Sequence, residues 1–489
     1  MASHFRTLSV AAITCLGAAC AGGGFVQPPF LGSVNGAVSP GGAVGSQVIL
    51  GGLNFGSTQG TSQVLFTNAV GGLTVVATIA SPSDWTDQYI VTTVPAGSFS
   101  GAVAVQNSGG TSNPFPFSVT PSLPNVPFTP SAVSWTAGNS LPAGVSGNAV
   151  AFARVRVAGT GSDTGFVYAV GGADNTGTPT AAVYYAAVKT NGSLGAWTAT
   201  TAPLPQARAF HAAVAATPRN SYAPSPGYLY VLGGVNASGT TVDIIYRGTL
   251  SATGDVSGWT VIQSLPTPLH SMSALIYLGS LYMVGGANNT NGTVPVVYRT
   301  AIQTDGSLSV GSSGVWSAQA SLPAPRARLG VGAYRLHLYA IGGDSATLTP
   351  NDSSAASERA TVFFGSVSPS THNVASWTSA GTLETARSAH TAIIAGGNVL
   401  LTGGLYSGAV TGTNEGSYAA LSATDGTVGT FMVATGTSTI QSVCSCNLFN
   451  HAATGYLAGS GSNVTFHVLV VGGDDVKALG TKRAETYTY

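Results

Sequence analysis

Arginine and histidine recur at matched places along the 489-residue chain. Arg208, Arg326 and Arg387 each follow a Leu-Pro or Leu-Glu step, and Leu269 holds the same slot in another copy. Three residues further on stand His211, His390 and His451, with Met272 and Leu329 at that place in other copies. Asp344 and Asp474 each directly follow a Gly-Gly pair. A guanidinium presents a planar fork of donors that fits a carboxylate, and a neutral imidazole both donates and accepts. Gathered on one surface, these residues would hold an acidic or hydroxylated ligand through charge-assisted hydrogen bonds.

Other chemistry has thinner material. Glu358, Glu384, Glu415 and Glu485 are the only glutamates. Glu384 closely precedes Arg387, and Glu415 lies in a long insertion. Cys444 and Cys446 form a Cys-x-Cys pair that could be a tight disulfide or half of a metal site. With no His-x-Cys partner pattern nearby, we expect a loop-stiffening disulfide and no metal. Neither a His-Glu-x-x-His motif nor a Gly-Lys-Ser/Thr phosphate loop occurs, so no cofactor is expected.

What must position the arginines and histidines is a repeat. A strand-like apolar run ending in Gly-Gly occurs at Gly171-Gly172, Gly233-Gly234, Gly285-Gly286, Gly342-Gly343, Gly403-Gly404 and Gly472-Gly473. A second apolar segment follows, as in Val183-Tyr184-Tyr185 or Ile244-Ile245-Tyr246. Then comes a tight hairpin turn such as Asn191-Gly192, Asp305-Gly306 or Asp425-Gly426. An aromatic strand is next, at Trp197, Trp259, Trp316, Trp377 and Phe431, before a Leu-Pro-x-x-Arg type connection opens the following copy. These markers resemble the kelch repeat, and the resemblance implies four strands, a to d, in each copy, with Gly-Gly ending b and the aromatic residue on d. In such a meander the d–a and b–c connections share one face, and the a–b and c–d turns share the other. The arginine and histidine columns fall in d–a connections. Asp344, Asp474 and the long insertions 343–360 and 404–416 fall on the b–c side. The loop of Cys444 and Cys446 approaches the same face. Long loops on a rigid scaffold are the usual seat of binding.

The last copy ends on its third strand, at Ala484–Tyr489. Its missing aromatic strand is found upstream, at Val133-Ser134-Trp135-Thr136 followed by Leu141-Pro142. An N-terminal strand is thus expected to complete the sixth copy and cover an open sheet edge.

The Gly-Gly, aromatic and Leu-Pro markers, repeated in phase over about Ser131 to Tyr489, resemble the kelch repeat. The resemblance implies an all-β, six-bladed propeller at 131–489, one four-stranded blade per copy. Arginine and histidine at these slots belong to the kelch pattern itself, so they also read as residues that bond neighbouring blades and orient loops. Some kelch propellers, similar to galactose oxidase, hold copper through tyrosine, histidine and a cysteine–tyrosine crosslink; no such set can be assigned here. A sialic acid mutarotase of similar blade count would need a Glu–Arg pair, for which Glu384 with Arg387 is a candidate. Over 28–119, Val38-Ser39-Pro40, Val48 to Gly56, Trp85-Thr86-Asp87, Gly101 to Val105 and Gly110 to Asn113 with Phe115 and Phe117 resemble an IPT/TIG domain, an immunoglobulin-like sandwich. In it Trp85 reads as core. Residues 120–130, with Pro121, Pro124, Pro127 and Pro130, read as a stiff linker.

Composition narrows the function. Only 7% of residues are charged, with 16 basic and 16 acidic side chains and no net charge. Such a chain lacks the electrostatic footprint for nucleic acid or an anionic membrane face. With 44% hydrophobic residues it is not a disordered composition either. Lysine is confined to Lys189, Lys477 and Lys482, which disfavours a cytosolic surface. Residues 1–20 read as a secretory leader: Arg6, a short apolar run from Leu8 to Ala19, then Cys20. That run is too short for a helix of about 20 residues to span a bilayer. The ending Leu16-Gly17-Ala18-Ala19-Cys20 resembles a bacterial lipoprotein signal, which makes Cys20 a candidate lipid anchor; an ordinary cleaved signal and an uncleaved segment stay open. We therefore expect an exported cell-envelope or surface protein that binds a glycan or protein partner through the d–a/b–c face without catalysis. The alternatives are a sugar-converting enzyme and a structural or assembly protein.

Overall fold

The computed structural model describes residues 27–34, 41–43, 45, 47–68, 71–98, 101–120, 130–132, 135–156, 163–216, 227–290, 292–303, 305–309, 315–346, 357–368, 371–406, 413, 416–422, 425–433, 448–460, 463–474 and 486–488. Cys20, Cys444, Cys446, Glu415 and Glu485 lie outside them, as do residues 121–129. Regular structure among the described residues is strand, apart from single 3-10 turns at Pro82–Asp84 and Pro130–Ala132.

The N-terminal strands form two sheets around one core. Phe30–Val34, Gln47–Leu53 and Tyr89–Thr93 make the smaller sheet. Gly41–Ala43, Phe115–Thr120, Gly101–Asn107, Gln63–Thr67 and Leu73–Val76 make the larger, with Gly110–Thr111 beside Gly101–Asn107. Alternating residues such as Val48 and Leu50, or Val103 and Val105, point inward from both sheets onto Phe55, Phe66, Trp85 and Phe117. Trp85 is buried, and its indole N–H donates to the Phe55 carbonyl at 3.3 Å.

Six antiparallel sheets follow. The first runs Ala149–Arg156, Asp163–Val170, Val183–Ala187 and Thr198–Ala199; the second runs Ala212–Ala216, Gly227–Leu232, Ile244–Leu250 and Val256–Ser264. The third has Ser273–Tyr277, Ser280–Val284 and Val297–Ile302, whose outer side pairs both Leu308–Ser309 and Ser317–Ala318. The fourth is Gly330–Tyr334, His337–Ile341, Arg359–Val367 and Val374–Ser388, with the short Leu405–Tyr406 paired to the end of the last. The fifth is Thr391–Ala395, Asn398–Thr402, Gly416–Ala420 and Met432–Val433. The sixth holds Ala452–Ser460, Asn463–Val471 and Thr486–Thr488, and its fourth strand is Thr136–Ala137 from the N-terminal side. There Thr136 pairs Thr488 and Ala137 pairs Tyr487.

Second strands in these sheets are apolar on both faces because each lies between two neighbouring sheets. In the second sheet Leu229 and Val231 join Phe166 and Val170 of the first, whereas Tyr230 and Leu232 join Leu281 and Met283 of the third. Further cores join the third sheet to the fourth and the fourth to the fifth. Between the fifth and sixth, Ile393 and Leu400 meet Val468 and Val470 around buried Trp135. Leu469 and Val471 of the sixth then pack with Val167 and Ala169 of the first, so the order of contacts is cyclic.

Three further sets of bonds run from sheet to sheet. The fourth-strand tryptophans Trp197, Trp259, Trp316 and Trp377 donate to the carbonyls of Asn139, Ala202, Ser264 and Ala320, each next to the outer strand of the preceding sheet. On the face of the hairpin turns, Tyr230 donates to Gly306 O of the following sheet at 2.8 Å, and Tyr456 donates to Gly192 O at 2.7 Å. On the opposite face, the second glycine of each Gly-Gly pair donates its N–H to the arginine-slot carbonyl of the next sheet. These bonds are Gly172 to Arg208, Gly234 to Leu269, Gly286 to Arg326, Gly343 to Arg387, Gly404 to Leu448 and Gly473 to Val145.

Candidate functional site

The first strand of every sheet lines a central cavity of ≈ 440 Å³. Where each of these strands begins, one residue holds a left-handed backbone: Gly147, Phe210, Ser271, Arg328, Ala389 and Asn450, with φ between 52° and 59°. Left-handed φ is uncommon outside glycine and costs energy, so it persists only where surrounding structure fixes it. Here a cycle of backbone hydrogen bonds does so. Phe210 N–H donates to Gly147 O, Ser271 to Phe210, Arg328 to Ser271, Ala389 to Arg328, Asn450 to Ala389 and Gly147 to Asn450, at 2.7 to 3.1 Å. This girdle forms one mouth of the cavity, on the face where the d–a connections arrive.

The next residue in each sheet is a wedge: Asn148, His211, Met272, Leu329, His390 and His451. Its side chain sits beneath the first glycine of the preceding sheet's pair, and its Cβ lies against the second glycine of its own pair. A methyl group on Gly171 would meet Arg208 O at 2.5 Å and the His211 ring at 2.8 Å; one on Gly234 would meet His211 Cβ at 2.6 Å. Both glycines of each pair also hold positive φ. The pairs are therefore required twice, for backbone conformation and for space.

The wedge histidines are among the residues that line the cavity, and all three are buried. Burial lowers His211 from 6.5 to about 3, with help from the Arg208 charge. Burial also lowers His451 to about 3. His390 is held well below 6.5 by burial and then by the Arg387 charge. All three are neutral imidazoles at ordinary pH, and His451 Nε2 sits 2.9 Å from the Thr402 hydroxyl.

The slot arginines lie outside the cavity lining. Arg208 is fully buried; it bonds Ala207 O and Gln206 Oε1 and stacks on Tyr246 at 5.3 Å. Arg326 bonds Pro325 O at 2.8 Å and stacks on Phe363 at 5.5 Å. Arg387 is tied to Glu384 at 2.7 Å, Tyr406 OH at 2.6 Å and Ser417 Oγ at 2.8 Å, and Ser417 also donates to Glu384. Cation–π stacking with a buried donor fork is a structural use of arginine as readily as a ligating one. Asp344 is buried and accepts from Ala346 N–H and the Ser357 hydroxyl, bracing its own loop. Asp474 accepts from the Asn450 carboxamide at 3.4 Å, which places it beside the mouth.

Among the eight residues singled out by type, the structure therefore brings His211, His390 and His451 to the cavity wall and Asp474 to its rim. It places Arg208, Arg326, Arg387 and Asp344 behind them. Phe210, Ser271, Arg328 and Asn450 escaped notice because their column repeats no residue type. What the column shares is backbone conformation, of which only glycine and asparagine give a sequence hint. No protein-family model matches the chain, and no curated protein matches it.

Proposed function

We propose that the chain is an exported recognition protein of the cell envelope: an IPT/TIG-like immunoglobulin-type domain at 28–119 followed by a six-bladed kelch-type propeller at 131–489. It binds a glycan or a protein partner, without catalysis, through the face carrying the cavity mouth. The observation that carries this reading is the mouth itself, where the half-buried Phe210 and Asn450, with the buried Arg328 between them, stand on a backbone girdle locked by the ring of sheets. An aromatic ring and a carboxamide held on rigid elements suit recognition of a polar ligand. A sugar-converting reaction would need a carboxylate free to move protons. Glu384, the candidate, is bonded to Arg387 and Ser417 and is not among the cavity-lining residues.

Glycan-array and envelope pull-down experiments test the reading. Wild type is expected to capture a ligand that the combined Phe210→Ala, Arg328→Gln, Asn450→Ala variant loses; identical profiles for the two proteins would sink it. Export through the leader with Cys20 as lipid anchor is part of the proposal, and palmitate labelling that survives Cys20→Ala would remove the anchor.

A further inference from the structure

The outer edge of the second sheet differs from the other outer edges of the ring. In the first, third, fifth and sixth sheets no described outer strand is longer than two residues, as in Thr198–Ala199 or Met432–Val433. The fourth sheet ends on Val374–Ser388, which carries Glu384 and Arg387 and pairs with Leu405–Tyr406 at its end. Val256–Ser264 is nine residues long and holds neither a charge nor a proline. Its inner side pairs Ile244–Leu250, and no described strand pairs its outer side. Ser257, Gly258, Thr260 and Val261 are exposed, and Val261, at 63%, is the most exposed large apolar residue described. Both ends are pinned. Val256 O accepts from Ala202 N–H at 3.0 Å, and Ser264 O accepts from the Trp316 indole at 3.0 Å. Between them runs a row of backbone groups without the charge, proline or cover that usually blunts an edge.

We propose that a second copy of this chain pairs on this edge, antiparallel, about a two-fold axis near Thr260. A two-fold sets every charge near it against its own copy, so self-pairing requires an uncharged edge, whereas a different partner imposes no such rule. The charges close by respect this condition. Arg247, opposite Thr260 on the neighbouring strand, stands three strand spacings from its copy, about 14 Å, which exceeds a Debye length of about 8 Å. Asp255, just before the strand, is held by the Thr201 N–H and hydroxyl. Across the axis Trp259 of one copy faces Val261 of the other, twice, and such aromatic–β-branched pairs stabilise adjoining strands. Because the strand's ends are already fixed, pairing orders little chain. Register shifts on either side of Trp259–Val261 keep the ladder short, so the dimer is reversible and concentration-dependent. Each dimer carries two cavity mouths, and a ligand with repeated epitopes is then held by avidity.

Sedimentation velocity on the full chain, over about a hundredfold range of concentration, tests this. Wild type is expected to move from the mass of one chain toward that of two. Val261→Lys brings two ammonium groups within diagonal reach across the axis, about 7–8 Å, and should weaken the dimer about tenfold or more. Val261→Glu should do the same, and an equimolar mixture of the two variants should recover a mixed dimer. Met432→Lys, on the two-residue outer strand of the fifth sheet, should associate as wild type does. Thermal unfolding checks that each variant is folded, and the concentration series on wild type needs no variant. A wild type that keeps the mass of one chain throughout, or a dimer that Val261→Lys leaves unchanged, overturns the assignment. A Val261-dependent species that contains a chain of another kind gives the edge to a foreign strand and also removes self-pairing. Val261 is not among the cavity-lining residues, so capture of a monovalent ligand at the mouth is independent of these results and the recognition reading stands or falls on its own.

Discussion

At the residue scale, the histidine column shows how a residue type can suggest one chemistry and supply another. Spacing alone aligns His211, His390 and His451, and the structure keeps the alignment. Yet each imidazole is a neutral wedge between successive Gly-Gly pairs rather than an exposed ligand group. The difference was not legible because a histidine code letter is the same whether its ring is wet or buried, and burial is set by sheets dozens of residues away. It carries a pH consequence. Ordinary imidazole titrates near 6.5, whereas His211 and His451 are lowered to about 3 and His270 to about 4, chiefly by burial. Between roughly pH 3 and 6.5 the unfolded chain therefore binds protons that the folded chain does not. Stability is full above 6.5 and falls as pH drops through that window, by about 1.4 kcal/mol per histidine per pH unit well inside it. Urea unfolding from pH 8 to 4 should show this decline, and His211→Met, which repeats the natural choice of Met272 at the equivalent place, should flatten it. A pH-independent midpoint would show that these rings are not buried neutral.

At the element scale, the second strands are the best-read part of the chain. The apolar runs before each Gly-Gly read as strands, and Leu229 with Val231 against Tyr230 with Leu232 shows that such a strand is buried on both faces. The tryptophans were likewise legible as packing, since Trp197, Trp259, Trp316 and Trp377 each close a bond to the neighbouring sheet. Less legible was which tyrosine hydroxyls serve the hairpin turns, because a turn's docking depth depends on the neighbouring sheet and not on local sequence. Two equivalent tyrosines differ here. Tyr230 donates to Gly306 O at 2.8 Å, whereas the buried Tyr168 hydroxyl has no partner among the described residues. Tyr230→Phe should cost about 1 kcal/mol of unfolding free energy, the net worth of a buried hydrogen bond. Tyr168→Phe should be neutral or stabilising by a few tenths to about 1 kcal/mol, because it removes a hydroxyl that folding desolvates without return. Equal losses in both variants would show that the hydroxyls are not distinguished in this way.

At the scale of the whole molecule, closure decides whether six sheets behave as one body. Chain order alone leaves the sixth sheet with three strands and an open edge, and the segment that fills it lies more than three hundred residues upstream. The missing aromatic strand was readable because five copies supplied a template for a sixth; the girdle of backbone bonds was not, because hydrogen bonding between sheets leaves no residue signature. The scarcity of charge also gains a location: Arg208, Arg326 and Arg387 are buried beside the connections between sheets, Asp344 braces its own loop, and Arg328, the one arginine of the described cavity lining, is buried as well. Trp135 serves closure twice, since it packs on Ile393, Leu400, Leu448, Val468 and Val470 and is followed by the two residues that pair with Thr488 and Tyr487. Trp135→Ala should cost about 3–5 kcal/mol by cavity formation at the fifth-to-sixth joint. Thr136→Pro should cost less by packing but frees the edge of Thr486–Thr488, because proline removes a ladder donor. The two variants should therefore part company by assay. Trp135→Ala lowers the unfolding midpoint without raising the mass above wild type, and Thr136→Pro adds larger species formed through the exposed edge, seen by size-exclusion chromatography with light scattering. If neither variant alters midpoint or mass, the ring does not depend on its N-terminal strand, and the sixth sheet must be held by the contacts of Leu469 and Val471 with the first sheet alone.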